Sequence, residues 1–335
     1  MKKGTLFEAL DNKKVRCRLC PHYCSIQNNS YGICRVRKNI NGELFSLNSD
    51  KIAAVNSDPI EKKPLYHFLP DTTSLSIAAM GCNFNCKFCQ NHSLSMVEDE
   101  NGIYGENIAP EDIVDMALGS GSQSISYTYT EPTIYFELMY ETAKIAKEQG
   151  LKNVMVTNGF ISPEALEMIL PFIDGANIDL KAFSDNFYRS YCGGKLDPVL
   201  DSIKIMAQKK VWIELTTLLI PDLNTDHKEL KELISFILDT DASIPWHVSR
   251  FFPNYKVTDK NPTDIRKIEK VLETGKEMGL KYIYGGNFSS AKWENTYCHK
   301  CNTMLIERSG YSTKISNLKS GKCANCGENI PGVWA

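Results

Sequence analysis

SIAAMGCNFNCKFCQN, residues 76–91, is the stretch from which the rest of the chain can be read. Its first residues close an apolar, β-branched run, Ser74–Ala79, which predicts a buried strand. The strand empties into a loop carrying Cys82, Cys86 and Cys89. In a parallel α/β barrel that is the C-terminal face, where reactive groups collect. The number of thiols matters. Structural metal sites are closed by four protein ligands, whereas three thiolates leave a coordination position free for something else. A fourth ligand supplied from elsewhere, with Cys192 available, is the alternative.

Outward from this loop the pattern alternates. Further strands are predicted at Ser124–Tyr129, Asn153–Thr157, Ala176–Leu180, Val211–Leu219 and His247–Phe251. Helices with proper start signals are predicted at Thr133–Gln149, Glu164–Leu170, His227–Leu238 and Ile265–Met278. The strands recur about every 30 residues, the size of a βαβ repeat. Six such units are too few for a complete eight-stranded barrel, so the fold class expected is α/β, a partial (β/α)6 TIM-like barrel. Lys281–Tyr284 would add an edge strand. An open doubly wound sheet is the competing architecture.

The 335 residues carry 12 cysteines. Cys17, Cys20, Cys24 and Cys34 form one further group, Cys298, Cys301, Cys323 and Cys326 another, and Cys192 stands alone. The last group is two Cys-x2-Cys knuckles and reads as a zinc ribbon, with a rubredoxin-like iron as the alternative. The first could hold zinc or an auxiliary iron–sulfur cluster. Cys192 is either an inert buried thiol or one near the reacting centre. The expected division is 1–72, a Cys-rich module with a hairpin around Glu43–Asn48 and Lys51–Val55; 73–290, the barrel; and 291–335, the second metal-stapled module. Net charge is −2 and no long apolar run is present, which argues against a broad nucleic-acid surface and against membrane spans. The N-terminus lacks an apolar export segment, so a cytoplasmic location is expected.

Cys-x3-Cys-x-Phe-Cys, with Phe88 before the last cysteine, resembles the signature of the radical S-adenosylmethionine (SAM) superfamily. The resemblance implies a [4Fe–4S] cluster on Cys82, Cys86 and Cys89 that chelates SAM and cleaves it reductively to a 5′-deoxyadenosyl radical, which abstracts hydrogen. It also places Thr130 and Glu131 at the SAM ammonium, Asn158 at the cofactor, Lys181 at the SAM carboxylate with Asp179 supporting it, and His247 near the ribose. The Asp179-Leu180-Lys181 segment is similar to one in glycyl-radical-enzyme activases. Over nearly the full length, VRCRLCPHYC, DPIEKKPLYHFLP, SYTYTEP, VTNGF, NIDLKAF, PWHVSRFFPNY and YCHKCNTMLIERSGY resemble the AmmeMemoRadiSam-system enzymes, relatives of pyruvate formate-lyase activating enzymes. That resemblance implies Memo-type partner proteins and a low-potential ferredoxin or flavodoxin as electron donor. Three functions therefore compete: radical modification of a substrate handed between partners, activation of a glycyl-radical enzyme, and a metal-stabilised binding or scaffold module.

Overall fold

The computed structural model describes residues 1–334. Its centre is one eight-stranded sheet. The strands are β1 (Ala54–Pro59), β2 (Thr73–Ala78), β3 (Ser124–Tyr127), β4 (Lys152–Thr157), β5 (Gly175–Asp179), β6 (Trp212–Leu219), β7 (Trp246–Arg250) and β8 (Ile283–Gly286), in spatial order β8-β7-β6-β5-β4-β3-β2-β1. All neighbours from β2 to β8 are parallel, and only β1 runs antiparallel, on the outer edge of β2. The order follows the sequence, as successive βα units laid side by side require. This is the expected partial barrel, with the anticipated extra strand at β8.

Six helices join the parallel strands: α1 (Pro110–Gly119), α2 (Phe136–Glu148), α3 (Pro163–Ile169), α4 (Asp197–Gln208), α5 (His227–Asp241) and α6 (Ile265–Met278). Their ends have local causes. Ser162 accepts from the Ala165 N–H at 3.2 Å ahead of Pro163 in α3. Asp226 accepts from the Lys228 and Glu229 N–H groups, both at 3.0 Å, to start α5. Asp264 caps α6, which stops where Gly279 turns left-handed at φ +111°. Among the described residues, no helix is long and apolar enough to cross a membrane.

The N-terminal hairpin differs from expectation. Glu43–Ser46 pairs with Arg37–Ile40 across Asn41-Gly42, not with Lys51–Val55. Asn41 and Gly42 both have positive φ, 55° and 89°, the condition for a two-residue hairpin turn matched to strand twist. Released from that pairing, 54–59 becomes β1. The apolar side chains Val15, Leu19, Val36 and Leu44 belong to the same buried cluster as the barrel interior. The C-terminal segment forms a three-stranded antiparallel sheet, Thr296–Tyr297, Met304–Ser309 and Ser312–Ile315. Its small core is Leu305, Ile306, Ile330, Cys298 and Cys323 against Tyr282 and Tyr284 near β8.

Candidate active site

A cavity of about 330 Å³, open to solvent, lies at the C-terminal ends of the parallel strands. Its wall includes Cys82, Cys86 and Cys89 from the β2 loop, Phe88, Thr130 after β3, Asn158 after β4, and Asp179 and Lys181 at the end of β5. Eight of the side chains expected there from sequence are therefore brought together.

The cysteine loop is held on every side. Gly81, at φ +103°, leaves no room for a side chain, because a Cβ would lie 2.7 Å from Val36 Cγ1. Asn83 Nδ2 donates to Phe160 O at 2.7 Å, and its Oδ1 accepts from Asn158 Nδ2 at 2.8 Å. The Asn85 and Lys87 N–H groups donate to Cys192 O and Tyr191 O at 2.8 and 2.9 Å, so the turn after β5 zips onto the loop. That turn, Tyr188–Cys192, is a π-helical one, a wide, under-wound geometry frequent beside functional sites.

Donors already surround the thiols. The Phe84 N–H donates to Cys82 Sγ at 3.3 Å, Asn158 Nδ2 lies 3.7 Å from the same sulfur, and Ser95 Oγ lies 3.4 Å from Cys89 Sγ. Burial, then Glu131, pushes the Cys82 thiol well up, and burial raises Cys89. A hydrogen bond from the Cys192 thiol brings Cys86 down against its burial, with Lys181 helping. Buried thiols of this kind ionise when a cation pairs with them. The three are not packed round a single ion, since among the described residues the one group of ligand atoms all within 4.8 Å of one another is the C-terminal four cysteines. The Lys181 ammonium is 2.8 Å from Asp179. Burial works against it, but Asp179 and Cys86 hold it well above the ordinary lysine value. A fixed cation and anion at one wall suit the carboxylate and ammonium of an amino-acid ligand.

Three expected site residues lie elsewhere. Glu131 is fully buried behind the wall. Its Oε1 accepts from Thr133 N at 3.1 Å, Thr133 Oγ1 at 2.6 Å and Thr157 Oγ1 at 2.8 Å, while Oε2 accepts from Asn158 N at 2.8 Å. Four donors saturate the carboxylate, and it faces them rather than the cavity. His247 is likewise buried, with Nε2 donating to Glu214 Oε2 at 2.7 Å and its ring stacked on Tyr284 at 5.1 Å. Glu214 is shared with the Tyr66 and His67 N–H groups and Trp212 Nε1. Cys192 is buried beside Cys86 without reaching the cavity.

The structure also adds residues that sequence reasoning missed. Lys62 and Lys63 line the cavity opposite the cysteines, both bonded to Asp58, at 2.8 and 2.7 Å, with Tyr129 donating to Asp58 as well. Despite its partial burial, Asp58 is held far below the ordinary carboxylate range by these partners, Lys62 foremost. Tyr129, with φ +67°, is a strained non-glycine residue at the mouth. Thr216, Ser249 and Asn287 complete the far side. Both lysines stand in the polar run after β1, for which no site role was expected.

At the chain's end, Cys298 and Cys326 sulfurs are 3.7 Å apart and those of Cys301 and Cys323 3.6 Å. Sulfurs on a tetrahedral ion with 2.3 Å bonds stand roughly 3.8 Å apart. This group is thus shaped for one ion.

An α/β partial barrel with three thiols and an ion-paired lysine at the mouth of its parallel strands defines an enzyme built around a bound cofactor. Residues 77–236 match the radical SAM superfamily. An uncharacterized protein of Methanocaldococcus jannaschii is 44% identical over 333 residues, 98% of this chain and 99% of that one. Pyruvate formate-lyase 1-activating enzyme of Escherichia coli K12 is 21% identical over 223 residues, 61% of this chain and 89% of the relative. Among solved structures, Streptococcus suis SuiB bound to S-adenosylmethionine superposes with a TM-score of 0.51 at 17% identity, over 68% of this chain. The matched part is 53% of SuiB, so the likeness spans about half of that neighbour. The chain belongs to the radical SAM superfamily, and with that membership come SAM and a [4Fe–4S] cluster as the family's cofactors.

Proposed function

We propose that this chain binds a [4Fe–4S] cluster through Cys82, Cys86 and Cys89 and uses it with SAM to take a hydrogen atom from a substrate. The observation carrying this reading is the convergence of three thiols and the Asp179–Lys181 pair on one cavity at the strand ends. Together the cluster and SAM supply reductive cleavage to methionine and a 5′-deoxyadenosyl radical. The chain's own residues bind, orient and shield. Phe84 N–H and Ser95 donate to thiolates. Lys181 meets the SAM carboxylate, Asp179 and Thr130 lie toward its ammonium, Asn158 fixes the loop against β4, and Phe88 closes the cavity beside Lys181. Glu131 and His247 enter as positioning residues rather than SAM ligands. The C-terminal four cysteines hold a structural zinc ion.

For the substrate, the full-length resemblance favours a system with Memo-type partners and a ferredoxin or flavodoxin donor. The glycyl-radical activase reading has its own support in the similarity to the Escherichia coli activating enzyme. The test is anaerobic reconstitution, reduction and incubation with SAM, with 5′-deoxyadenosine measured by chromatography. At least one equivalent per chain is expected, falling to background in Cys82→Ala. Background levels in the reconstituted wild type would overturn the proposal. A glycine-centred radical on a candidate partner, seen by electron paramagnetic resonance, decides for activation.

A further inference from the structure

Two groups of side chains are still without a role. Cys17, Cys20, Cys24 and Cys34 line one enclosed space of about 20 Å³ in the N-terminal segment, room for about one water. The other group is Lys62 and Lys63, which face the cavity itself. Their approach is set by β1. Pro59, at the end of that strand, pairs with Thr73, the first residue of β2, whereas the cysteine loop leaves the other end of β2. The lysines therefore reach the cavity from the side away from the thiols. Asn177 Nδ2 of β5 donates to Pro64 O at 2.8 Å and fixes the chain just beyond them.

What these lysines leave unsatisfied says what they would hold. They present two ammoniums, and among the described residues the one carboxylate bonded to either is Asp58. This corner of the cavity thus carries one positive charge in excess. An ammonium has three N–H donors. Lys63, whose side chain is only 2% exposed, gives one to Asp58 Oδ2 at 2.7 Å and otherwise lies over the Tyr129 ring, 4.8 Å from its centroid. Buried donors on a cation ask for an acceptor. Asp58 is already shared three ways, between Lys62, Lys63 and the Tyr129 hydroxyl. The lining around them adds hydrogen-bonding groups without charge, in Thr128, Thr216, Ser249 and Asn287.

We propose that Lys62 and Lys63 form the subsite for an anionic group, a carboxylate or a phosphate, of a small-molecule substrate. This rests on the radical reading given above and narrows its substrate. An oxyanion has acceptor atoms enough for both lysines, and it offsets the excess charge with charge-assisted hydrogen bonds. Lys63 is buried, so a flat macromolecular surface does not reach it, whereas a small anion inside the cavity does. Anchored there, the substrate extends toward the thiols and the Asp179–Lys181 pair. Its length from anion to C–H then decides which hydrogen meets the radical. A backbone glycine carries no such anion, so the subsite favours modification of a small acid over activation of a glycyl-radical enzyme.

The experiment uses the full chain, cluster-loaded and unreduced, with SAM present so that its own site is filled. Inorganic phosphate and acetate are titrated calorimetrically. At least one is expected to bind saturably, weakened about tenfold by Lys62→Met and kept within about twofold by Lys62→Arg. Lys228→Met, on the exposed face of α5, should leave the affinity unchanged. Binding of phosphate alone assigns a phosphate ester, of acetate alone a carboxylic acid, and of both the oxyanion site as stated. No saturable binding of either, equal affinity in Lys62→Met, or displacement of SAM by the anion overturns the proposal. Should Lys62→Met fold poorly, wild type decides: the anion must protect Lys62 but not Lys228 from amine acylation, mapped by mass spectrometry, and no protection overturns it. Anion binding without 5′-deoxyadenosine formation would sink the radical reading alone, and 5′-deoxyadenosine without anion binding this inference alone.

Discussion

Replacing Glu131 with glutamine separates a residue that braces the site from one that touches SAM. In the fold the carboxylate accepts from two backbone N–H groups, Thr133 on one oxygen and Asn158 on the other, and from two threonine hydroxyls. A hydroxyl can rotate and accept from the new amide, but a backbone N–H cannot. Whichever way the glutamine turns, either Thr133 N or Asn158 N faces an NH2 group and is left unsatisfied. One orphaned buried donor costs about 1–3 kcal/mol, and exchanging a charged acceptor for a neutral one weakens the remaining bonds by about 1 kcal/mol. Glu131→Gln should therefore lower unfolding free energy by about 2–4 kcal/mol, read from the guanidinium midpoint at unchanged m-value. SAM affinity, titrated calorimetrically on the reconstituted protein, should change less than about fivefold, or about 1 kcal/mol. A thirtyfold loss of SAM affinity at unchanged stability would refute the reasoning and return the carboxylate to the cavity.

Three further outcomes follow from the packing. Burial holds His67, whose Nδ1 donates to Pro331 O, at about 4 instead of the ordinary 6.5. A histidine kept neutral by the fold stabilises fully above pH 6.5 and loses that contribution as pH falls to about 4. The stability difference between wild type and His67→Gln should thus shrink by roughly 3 kcal/mol across that window, and a pH-independent difference would count against it. In Gly194→Ala the new Cβ would stand 2.2 Å from Phe84 Cε1. Overpacking of about 1–3 kcal/mol should lower the melting temperature and, since Phe84 lies between Cys82 and Cys86, reduce bound iron; unchanged values of both would sink the idea. If the C-terminal cysteines hold the zinc ion proposed for them, Cys326→Ser should release it and speed hydrogen exchange over 296–334 while β3 to β6 stay protected. Continued protection of that segment would show the ion to be dispensable.

The parallel strands were legible because strands covered on both faces leave nearly unbroken apolar runs, and the boundaries read from them fall within two residues of β2 to β7. The site's mouth was legible for a local reason too: Cys82, Cys86 and Cys89 lie within eight consecutive residues just after the strand that presents them. What was misread depends on distant partners. A carboxylate at a strand end suggests a ligand for an ammonium, and Glu131 finds its donors 26 and 27 residues later, on the end of β4. His247 meets Glu214 from the neighbouring strand, 33 residues earlier. The hairpin error was different, since the Asn41-Gly42 signal was present and outweighed by a weaker alternation further on. The α1 and α4 helices also carried readable starts, each with Pro at its first turn.

The residues behind the wall explain why those that line the cavity are held in place. Asn158 joins Asn83 on the cysteine loop by its side chain and Glu131 by its backbone N–H, and Glu131 in turn ties in Thr157 and Thr133. One chain of polar contacts thus links the ends of β2, β3 and β4. On the other side, the Tyr188–Cys192 turn bonds the loop through Asn85 and Lys87, and the Tyr188 hydroxyl accepts from the Lys181 N–H at 3.0 Å. The loop that offers its thiols is consequently fixed by neighbours from β3, β4 and β5 at once, with rotamers set by packing rather than by what binds. For the hydrogen abstraction proposed above, directing a highly reactive species onto one hydrogen needs that rigidity more than it needs additional ligands.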